Sequence, residues 1–223
     1  MDPSAQLPLD LANDAASGRD DLIVTPANRQ ALAHLDSWPD WPAPIAVLAG
    51  PVGAGKTHLS AIWSQQAGAQ FVAMKDDFSQ QLEQPSNIVV EDVSAEDLDE
   101  TWMFHLINTV RANNGSLLIT SRVWPGQWRV QLPDLQSRLK LAQLIELHEP
   151  DDALLGGVLS KLFSDRQIQV EPPVVNYLVL RMERSLACAQ GLVEALDELS
   201  MSHKRAITKP LAAIALQQMG LQQ

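Results

Sequence analysis

Short, wholly apolar runs alternate with longer segments of helical periodicity up to residue 150. The run Ile45–Ala49 contains five apolar residues without a polar break, which is typical of a strand buried on both faces of a parallel sheet. Similar runs predict strands at 71–74, 87–90, 116–120 and 144–147, and helical patterns lie at 25–37, 56–67 and 98–113. Because strands that alternate with helices form parallel, helix-covered sheets, this part is predicted to be an α/β domain.

The pattern changes after residue 150, where helices are predicted at 153–163, 174–184, 186–202 and 210–219 without a strand between them. This second region is predicted to be a small helical domain. Residues 1–21 are acidic and contain many small residues, which predicts a flexible leader. The predicted organisation is therefore a leader (1–21), an α/β domain (22–150) and a helical domain (151–223).

The charge and the cysteine content of the chain argue against several classes of protein. The chain has 223 residues, with 16 Lys and Arg against 27 Asp and Glu, and its net charge of −11 argues against a general nucleic-acid-binding surface. The single cysteine, Cys188, excludes an intrachain disulfide and indicates a reducing cytoplasm. No apolar run reaches the roughly 18 residues of a membrane span, and the acidic N-terminus is unlike a signal peptide. We therefore expect a cytoplasmic protein that binds a nucleotide and partner proteins.

The clearest chemical motif follows the first predicted strand. The sequence GPVGAGKT at 50–57 matches G-x-x-x-x-G-K-[ST] between a predicted strand and a predicted helix. Its glycines let backbone N–H groups face phosphate oxygens, and the helix N-terminus adds positive charge. The lysine would reach the β- and γ-phosphates, and the threonine hydroxyl would ligate Mg²⁺. The predicted site for ATP or ADP with Mg²⁺ comprises Gly50, Pro51, Val52, Gly53, Ala54, Gly55, Lys56 and Thr57.

A second motif, IVVED, is an apolar run that ends in the carboxylates Glu91 and Asp92. In P-loop proteins such an acid supports Mg²⁺, and a neighbouring acid can orient the attacking water. By position, Glu91 is predicted to support the metal and Asp92 to act on the water. The alternative is that both acids only begin a solvated loop, since residues 96, 97, 99 and 100 are also acidic.

Together with these motifs, the sequences SLLITSR (116–122), LPDLQSRL (132–139) and RMERSL (181–186) resemble the AAA+ family, within it the DnaA/Hda branch of bacterial replication ATPases. The resemblance implies an AAA+ P-loop sheet followed by a helical lid. It also implies that Thr120 and Ser121 form the sensor-1 region near the γ-phosphate. Arg184 is similar to the sensor-2 arginine that contacts nucleotide in cis, with Arg181 as the alternative. Arg138 is similar to an arginine finger, which acts on the nucleotide of a neighbouring subunit.

The leader contains QLPLDL at 6–11, which alone would indicate a disordered leader or a poor strand interrupted by proline. Hda-type proteins carry a similar peptide that binds the bacterial sliding clamp, the β subunit of DNA polymerase III. The resemblance therefore implies that Gln6 hydrogen-bonds at a polar subsite while Leu9 and Leu11 enter an apolar groove. Leu7 would be an accessory contact.

The resemblance implies a negative regulator of replication initiation that stimulates ATP hydrolysis by DnaA. Because the sequence stops soon after the last lid helix, no DNA-binding domain is expected. The sequence leaves open whether the protein forms a homodimer. Glu91 stands where aspartate is commoner in the family, which predicts weak or absent intrinsic turnover. Two alternatives remain: a self-sufficient AAA+ ATPase that remodels or loads a replication protein, and a nucleotide-bound clamp adaptor without effect on hydrolysis.

Overall fold

The computed structural model describes residues 19, 22–77, 86–203 and 205–221. A parallel five-stranded sheet forms the centre of the α/β region, with the strand order β2-β3-β4-β1-β5. Its strands are β1 (Ile45–Ala49), β2 (Gln70–Phe71), β3 (Ile88–Val93), β4 (Leu117–Ser121) and β5 (Gln143–Glu146). The predicted parallel, helix-covered sheet is confirmed.

Helices cover both faces of this sheet. On one face lie α1 (Arg29–Asp36) and α2 (Lys56–Ala67), and on the other lie α3 (Glu100–Ala112) and α4 (Pro133–Lys140). Ile45 and Val47 of β1 pack with the α3 and α4 layer, whereas Ala46 and Leu48 pack with the α1 and α2 layer. Both faces of β1 are therefore buried, which explains why its sequence has no polar alternation.

The helical region has its own apolar core. It contains α5 (Asp152–Asp165), α6 (Pro172–Val179), α7 (Leu186–His203) and α8 (Lys209–Gln218). Helix α5 begins with Asp151 as its N-cap, whose side chain accepts a hydrogen bond of 2.8 Å from the backbone N–H of Leu154. No helix in the described ranges has the length and apolar character needed to span a membrane.

Several predicted boundaries were wrong. Helix α1 begins at Arg29 and not at residue 25, because Asn28 accepts a hydrogen bond from the Thr25 N–H and donates one to the Ile23 carbonyl, which holds a turn. Strand β2 covers Gln70–Phe71 and not 71–74, since the chain turns where the Ala73 N–H bonds to Asp76. Helix α6 ends at Val179 and not at residue 184, so that residues 180–185 form a loop leading into α7.

We expect Leu192→Ala in α7 to lower the free energy of unfolding by about 2–5 kcal/mol, because a fully buried leucine would be replaced by a cavity. The matched control is Leu180→Ala, at a leucine with 73% exposure in the loop after α6, which should change stability by less than about 0.5 kcal/mol. Chemical denaturation of the two variants measures both values. Equal losses would contradict the assignment of Leu192 to the lid core.

Candidate nucleotide-binding site

The carboxyl ends of the parallel strands bring the predicted motifs to one edge of the sheet. Strand β1 pairs Ala49 with Ser121 of β4, and the backbone N–H of Gly50 donates to the Ser121 carbonyl over 3.1 Å. Strand β3 pairs with the other side of β4 and ends in the segment that contains Glu91 and Asp92. The P-loop, the acid pair and the end of β4 therefore lie side by side.

Two P-loop positions require glycine for specific reasons. A Cβ at Gly50 would lie 2.3 Å from the carbonyl oxygen of Leu147, so the loop passes too close to the chain after β5 for any side chain. Gly53 has a φ of +73°, and a Cβ there would lie 2.0 Å from the Ser185 hydroxyl at the start of the lid helix α7. The backbone N–H of Leu186 also donates to the Gly53 carbonyl over 2.8 Å. The lid thus packs directly on the P-loop.

Lys56 begins α2 and projects into this edge. Its ammonium donates to the carbonyls of Gly50 and Pro51, each at 2.8 Å. The pKa of Lys56 is lowered, mainly because burial removes water from its ammonium. The carboxylates of Asp92 and Glu91 raise this pKa, whereas the guanidinium of Arg122 lowers it further. Because the partly buried ammonium has lost solvation, an anion such as a phosphate would stabilise its charge.

Glu91 and Thr57 are the two residues that the sequence predicts to hold a metal ion. Glu91 Oε1 accepts a hydrogen bond of 2.8 Å from the buried hydroxyl of Ser60, one turn after Thr57 in α2, and both Glu91 and Thr57 line the cavity. In the described part of the chain, no cluster of three or more His, Cys, Asp or Glu side chains is arranged to hold a metal. One carboxylate and one hydroxyl fit Mg²⁺, which usually takes its remaining ligands from phosphates and water.

Asp92 lies at an irregular point of β3. Its backbone has a φ of +50°, where the register with β4 shifts between Val90 and Val93. The Asp92 N–H donates to Thr120 Oγ1 over 2.9 Å. Both of its carboxylate oxygens accept from Arg122, from Nε at 3.2 Å and from Nη2 at 2.9 Å. The end of β4 therefore holds both the backbone and the side chain of Asp92.

A cavity of about 630 Å³ lies between the P-loop, the strand ends and the lid helices α5 and α7. Its volume is within the range of roughly 300–1,000 Å³ that small-molecule sites occupy. The predicted site residues that line it are Val52, Gly53, Gly55, Lys56, Thr57, Glu91 and Asp92, together with Thr120 of the sensor-1 prediction. Among its lining side chains are three cations and three carboxylates: Lys56, Arg122, Lys161, Glu91, Asp92 and Asp165.

Two predicted nucleotide contacts are placed differently. Ser121 is fully buried; its hydroxyl donates to the Val93 carbonyl at 2.7 Å and accepts from Trp128 Nε1 at 3.1 Å. Of the two residues predicted as sensor 1, Thr120 is therefore the one that lines the cavity. Arg184 forms an ion pair of 2.8 Å with Asp152 and also contacts the Pro150 carbonyl at the base of the lid. Nucleotide contact by Ser121 or by Arg184 therefore stays a prediction.

Two other predictions concern described residues that do not line this cavity. Arg181 stacks on Tyr177, with its guanidinium carbon 4.0 Å from the ring centroid. Arg138 lies on α4, with its guanidinium carbon 6.0 Å from the Phe104 ring centroid, and it does not line the cavity. The clamp peptide, with Gln6, Leu7, Leu9 and Leu11, lies outside the described residues.

Sequence reasoning missed two cations of the cavity. Arg122 follows Thr120 and Ser121 directly, so the end of the LITSR motif was a signal that could have identified it. Lys161 lies on α5 and pairs with Asp165 at 2.7 Å. Its orientation toward the P-loop depends on how the lid packs, which no local pattern reveals.

Comparisons with known proteins agree with this architecture. A family model described as "Hda, lid domain" matches residues 157–216. The chain is 26% identical to an uncharacterized protein of Haemophilus influenzae, over 94% of this chain and 96% of that protein. Domain III of Thermotoga maritima DnaA has a similar structure, with a TM-score of 0.78 at 17% identity, covering 92% of this chain and 97% of that one. A DnaA bound to AMPPCP and single-stranded DNA gives a TM-score of 0.63 at 18% identity, covering 83% and 67%.

The structural similarities establish the fold, and the Hda lid model matches residues 157–216 of the helical region. Together these findings support an AAA+ protein of the DnaA/Hda branch. The predicted fold class is thereby confirmed as an AAA+ P-loop sheet with a C-terminal helical lid. The cavity beside the P-loop is the candidate site for the nucleotide that the motif predicts.

We expect Gly53→Ala to weaken the binding of a fluorescent ADP analogue by about tenfold or more, because a left-handed residue with a side chain costs about 1–2 kcal/mol before the clash with Ser185 is counted. Gly126→Ala is the matched control, since a Cβ at Gly126 meets nothing within 4 Å. Titration of both variants with the analogue measures the effect. Wild-type affinity in Gly53→Ala would show that the contact between lid and P-loop does not shape the site.

Proposed function

We propose that this AAA+ chain is a regulator of replication initiation that stimulates ATP hydrolysis by DnaA. In this proposal a bound nucleotide organises the P-loop and the lid, and the leader tethers the protein to the sliding clamp. Arg138 then acts on the nucleotide of a neighbouring DnaA molecule. The position of Arg138 outside its own nucleotide cavity is the observation that carries the proposal.

The surroundings of Arg138 support a role in trans. Helix α4 holds it half-buried beside Phe104, while Leu135 and Leu139 anchor the same helix in the core. No acidic side chain within the described ranges forms a salt bridge with its guanidinium. An arginine that is held on a rigid helix without an internal counter-ion is suited to neutralise the charge that develops on a transferring phosphoryl group.

The resident ligand in this proposal is ATP or ADP with Mg²⁺. Lys56 and the P-loop backbone would hold the phosphates, while Thr57 and Glu91 would hold the metal. The DnaA structure that contains AMPPCP has a similar fold, which supports the choice of an adenine nucleotide. Glu91 in place of the commoner aspartate supports slow turnover by the chain itself, so the nucleotide would act mainly as a structural ligand.

The leader peptide completes the proposal. A protein bound through QLPLDL to a clamp on DNA would meet DnaA at a high effective concentration, so a weak contact through Arg138 would suffice. The proline in this peptide restricts its backbone to the extended forms that a peptide groove accepts, which reduces the entropy lost on binding. This arrangement would restrict the stimulation of DnaA to times when clamps are loaded.

We expect Arg138→Ala to abolish stimulation of ATP hydrolysis by DnaA on clamp-loaded DNA, with a loss on the order of 10³-fold or more if the guanidinium acts as a finger. Arg138→Lys should also lose most of the effect, because lysine lacks the planar fork. The control is Arg29→Ala, an exposed arginine of α1 on the opposite layer of the sheet, which should stimulate normally. Release of phosphate from ATP prebound to DnaA measures all three.

Other outcomes would favour the alternatives. Stimulation that persists in Arg138→Ala would contradict the role of Arg138 as an arginine finger. Clamp binding by the unaltered chain with neither stimulation of DnaA nor intrinsic turnover would favour the nucleotide-bound adaptor. Absence of any stimulation by the unaltered chain, combined with intrinsic turnover that Asp92→Asn removes, would favour a self-sufficient AAA+ ATPase. None of these results is compatible with the proposed regulator.

We expect the double substitution Leu9→Ala and Leu11→Ala to weaken clamp binding by at least about tenfold, because two apolar anchors would be lost at roughly 1 kcal/mol or more each. The matched control replaces Asn13 and Asp14 by alanine in the same leader but outside QLPLDL. Binding to immobilised clamp measures both variants. Equal binding by the two variants would contradict the assignment of QLPLDL as the clamp-binding peptide.

A further inference from the structure

Glu100 joins α3 to the start of α4. It is the first residue of α3, and its carboxylate accepts hydrogen bonds from two backbone N–H groups directly before α4. Oε1 accepts from Gln131 over 2.8 Å, and Oε2 accepts from Leu132 over 2.7 Å. Both oxygens of one carboxylate therefore bind neighbouring residues that lie 31 and 32 positions later in the chain.

A carboxylate suits this place for two reasons. The N-terminus of a helix carries partial positive charge, and Glu100 lies in the first turn of α3 while its oxygens reach the start of α4. Pro133, the first residue of α4, has no N–H group, so the nearest backbone donors before that helix are those of Gln131 and Leu132. Hydrogen bonds from N–H groups to an ionised carboxylate are stronger than those between neutral groups. Glu100 therefore fixes the entry of the chain into α4.

The segment that Glu100 holds contains a strained residue. Arg129 has a φ of +55°, in the left-handed region that a residue with a side chain rarely adopts. Its carbonyl accepts a hydrogen bond from the side-chain amide of Gln131, whose backbone N–H is bound by Glu100. Strained backbone of this kind persists only where surrounding contacts hold it. Without the carboxylate of Glu100, we expect residues 129–132 to relax and the start of α4 to shift.

The position of Arg138 depends on where α4 starts. Arg138 is the sixth residue of this helix, about one and a half turns after Pro133. Leu135 and Leu139 lie one turn apart and are buried, so they determine which side of α4 faces the core. Apolar packing is not directional, so it resists a slide of the helix along its axis less strongly than hydrogen bonds do. The two hydrogen bonds of Glu100 supply that directional constraint.

We propose that Glu100 is a positioning residue for Arg138, because it holds the start of α4 where the guanidinium can reach the nucleotide of a neighbouring DnaA molecule. This inference rests on the proposed function, in which Arg138 acts in trans. Glu100 is not among the residues that line the nucleotide cavity, so its effect passes through α4. Loss of Glu100 lowers the rate of hydrolysis without weakening the complex, since a misplaced guanidinium stabilises the transition state less.

We expect Glu100→Ala to lower the maximal rate of ATP hydrolysis by DnaA about tenfold or more, because a displacement of roughly 1 Å can cost a catalytic group about 10²-fold in rate. The concentration of this chain that gives half-maximal stimulation should change by no more than about twofold. Glu100→Gln should lose less, about threefold, since the amide oxygen still accepts one of the two N–H groups. The split between rate and affinity, together with this partial rescue, distinguishes positioning from a general loss of structure.

The experiment titrates each variant against DnaA prebound to ATP on clamp-loaded DNA and measures phosphate release at each concentration. Glu96→Ala is the matched control, since Glu96 is an exposed acid in the loop that leads into α3, and it should stimulate normally. Amide hydrogen exchange over residues 131–140, measured without DnaA, should be faster in Glu100→Ala than in Glu96→Ala. Thermal melting shows whether each variant is folded, and Glu100→Gln decides the question if Glu100→Ala does not fold.

An unchanged maximal rate in the folded Glu100 variants, or unchanged exchange over 131–140, would overturn the inference and leave the role of Arg138 intact. A higher half-maximal concentration with an unchanged maximal rate would also overturn it, because Glu100 would then belong to the surface that binds DnaA. An equal loss in Glu96→Ala would overturn it as well, since the charge of the loop would then be the cause. Absence of stimulation by the unaltered chain would instead overturn the proposed function, and this inference with it.

Discussion

The hydrogen-bonded pairing of β1 with β4 on one side and β5 on the other determines where every part of the site lies. It places the P-loop between the ends of β4 and β5 and brings the chain after β5 so close to Gly50 that no side chain fits there. Since β3 pairs with the far side of β4, the acid pair and Arg122 reach the same edge. A slip of one residue in β4 would separate these groups and turn each of its side chains toward the opposite helix layer.

The lid adds a second constraint, because the first residues of α7 contact the P-loop directly. Leu186 bonds to Gly53, and Ser185 occupies the space that a side chain at Gly53 would need. The conformation of the phosphate-binding loop is therefore coupled to the position of a helix whose core is separate from that of the sheet. A nucleotide in the cavity would touch both regions and would therefore stabilise the contact between them.

The sequence predicted the elements well where burial alone determines them. The bounds of β1 and α2 agree with their apolar run and with the P-loop that joins them. The predicted start of α1 was wrong because side-chain hydrogen bonds of Asn28 hold a turn there in place of the first helical residues. The sequence also could not show that Arg184 would pair with Asp152, or that Arg122 would hold Asp92, since both contacts join residues about 30 positions apart through the tertiary fold.

Proximity labelling tests directly whether Arg138 reaches the nucleotide of DnaA. Cys188 is the only cysteine, so a Cys188→Ala chain that also carries Arg138→Cys has one thiol. DnaA would be loaded with an ATP analogue that bears a thiol-reactive group on its γ-phosphate, and mixed with this chain on clamp-loaded DNA. If Arg138 acts on the nucleotide of DnaA, we expect labelling at position 138 and none in a matched Arg29→Cys chain. Equal labelling at both positions, or none at 138, would contradict it.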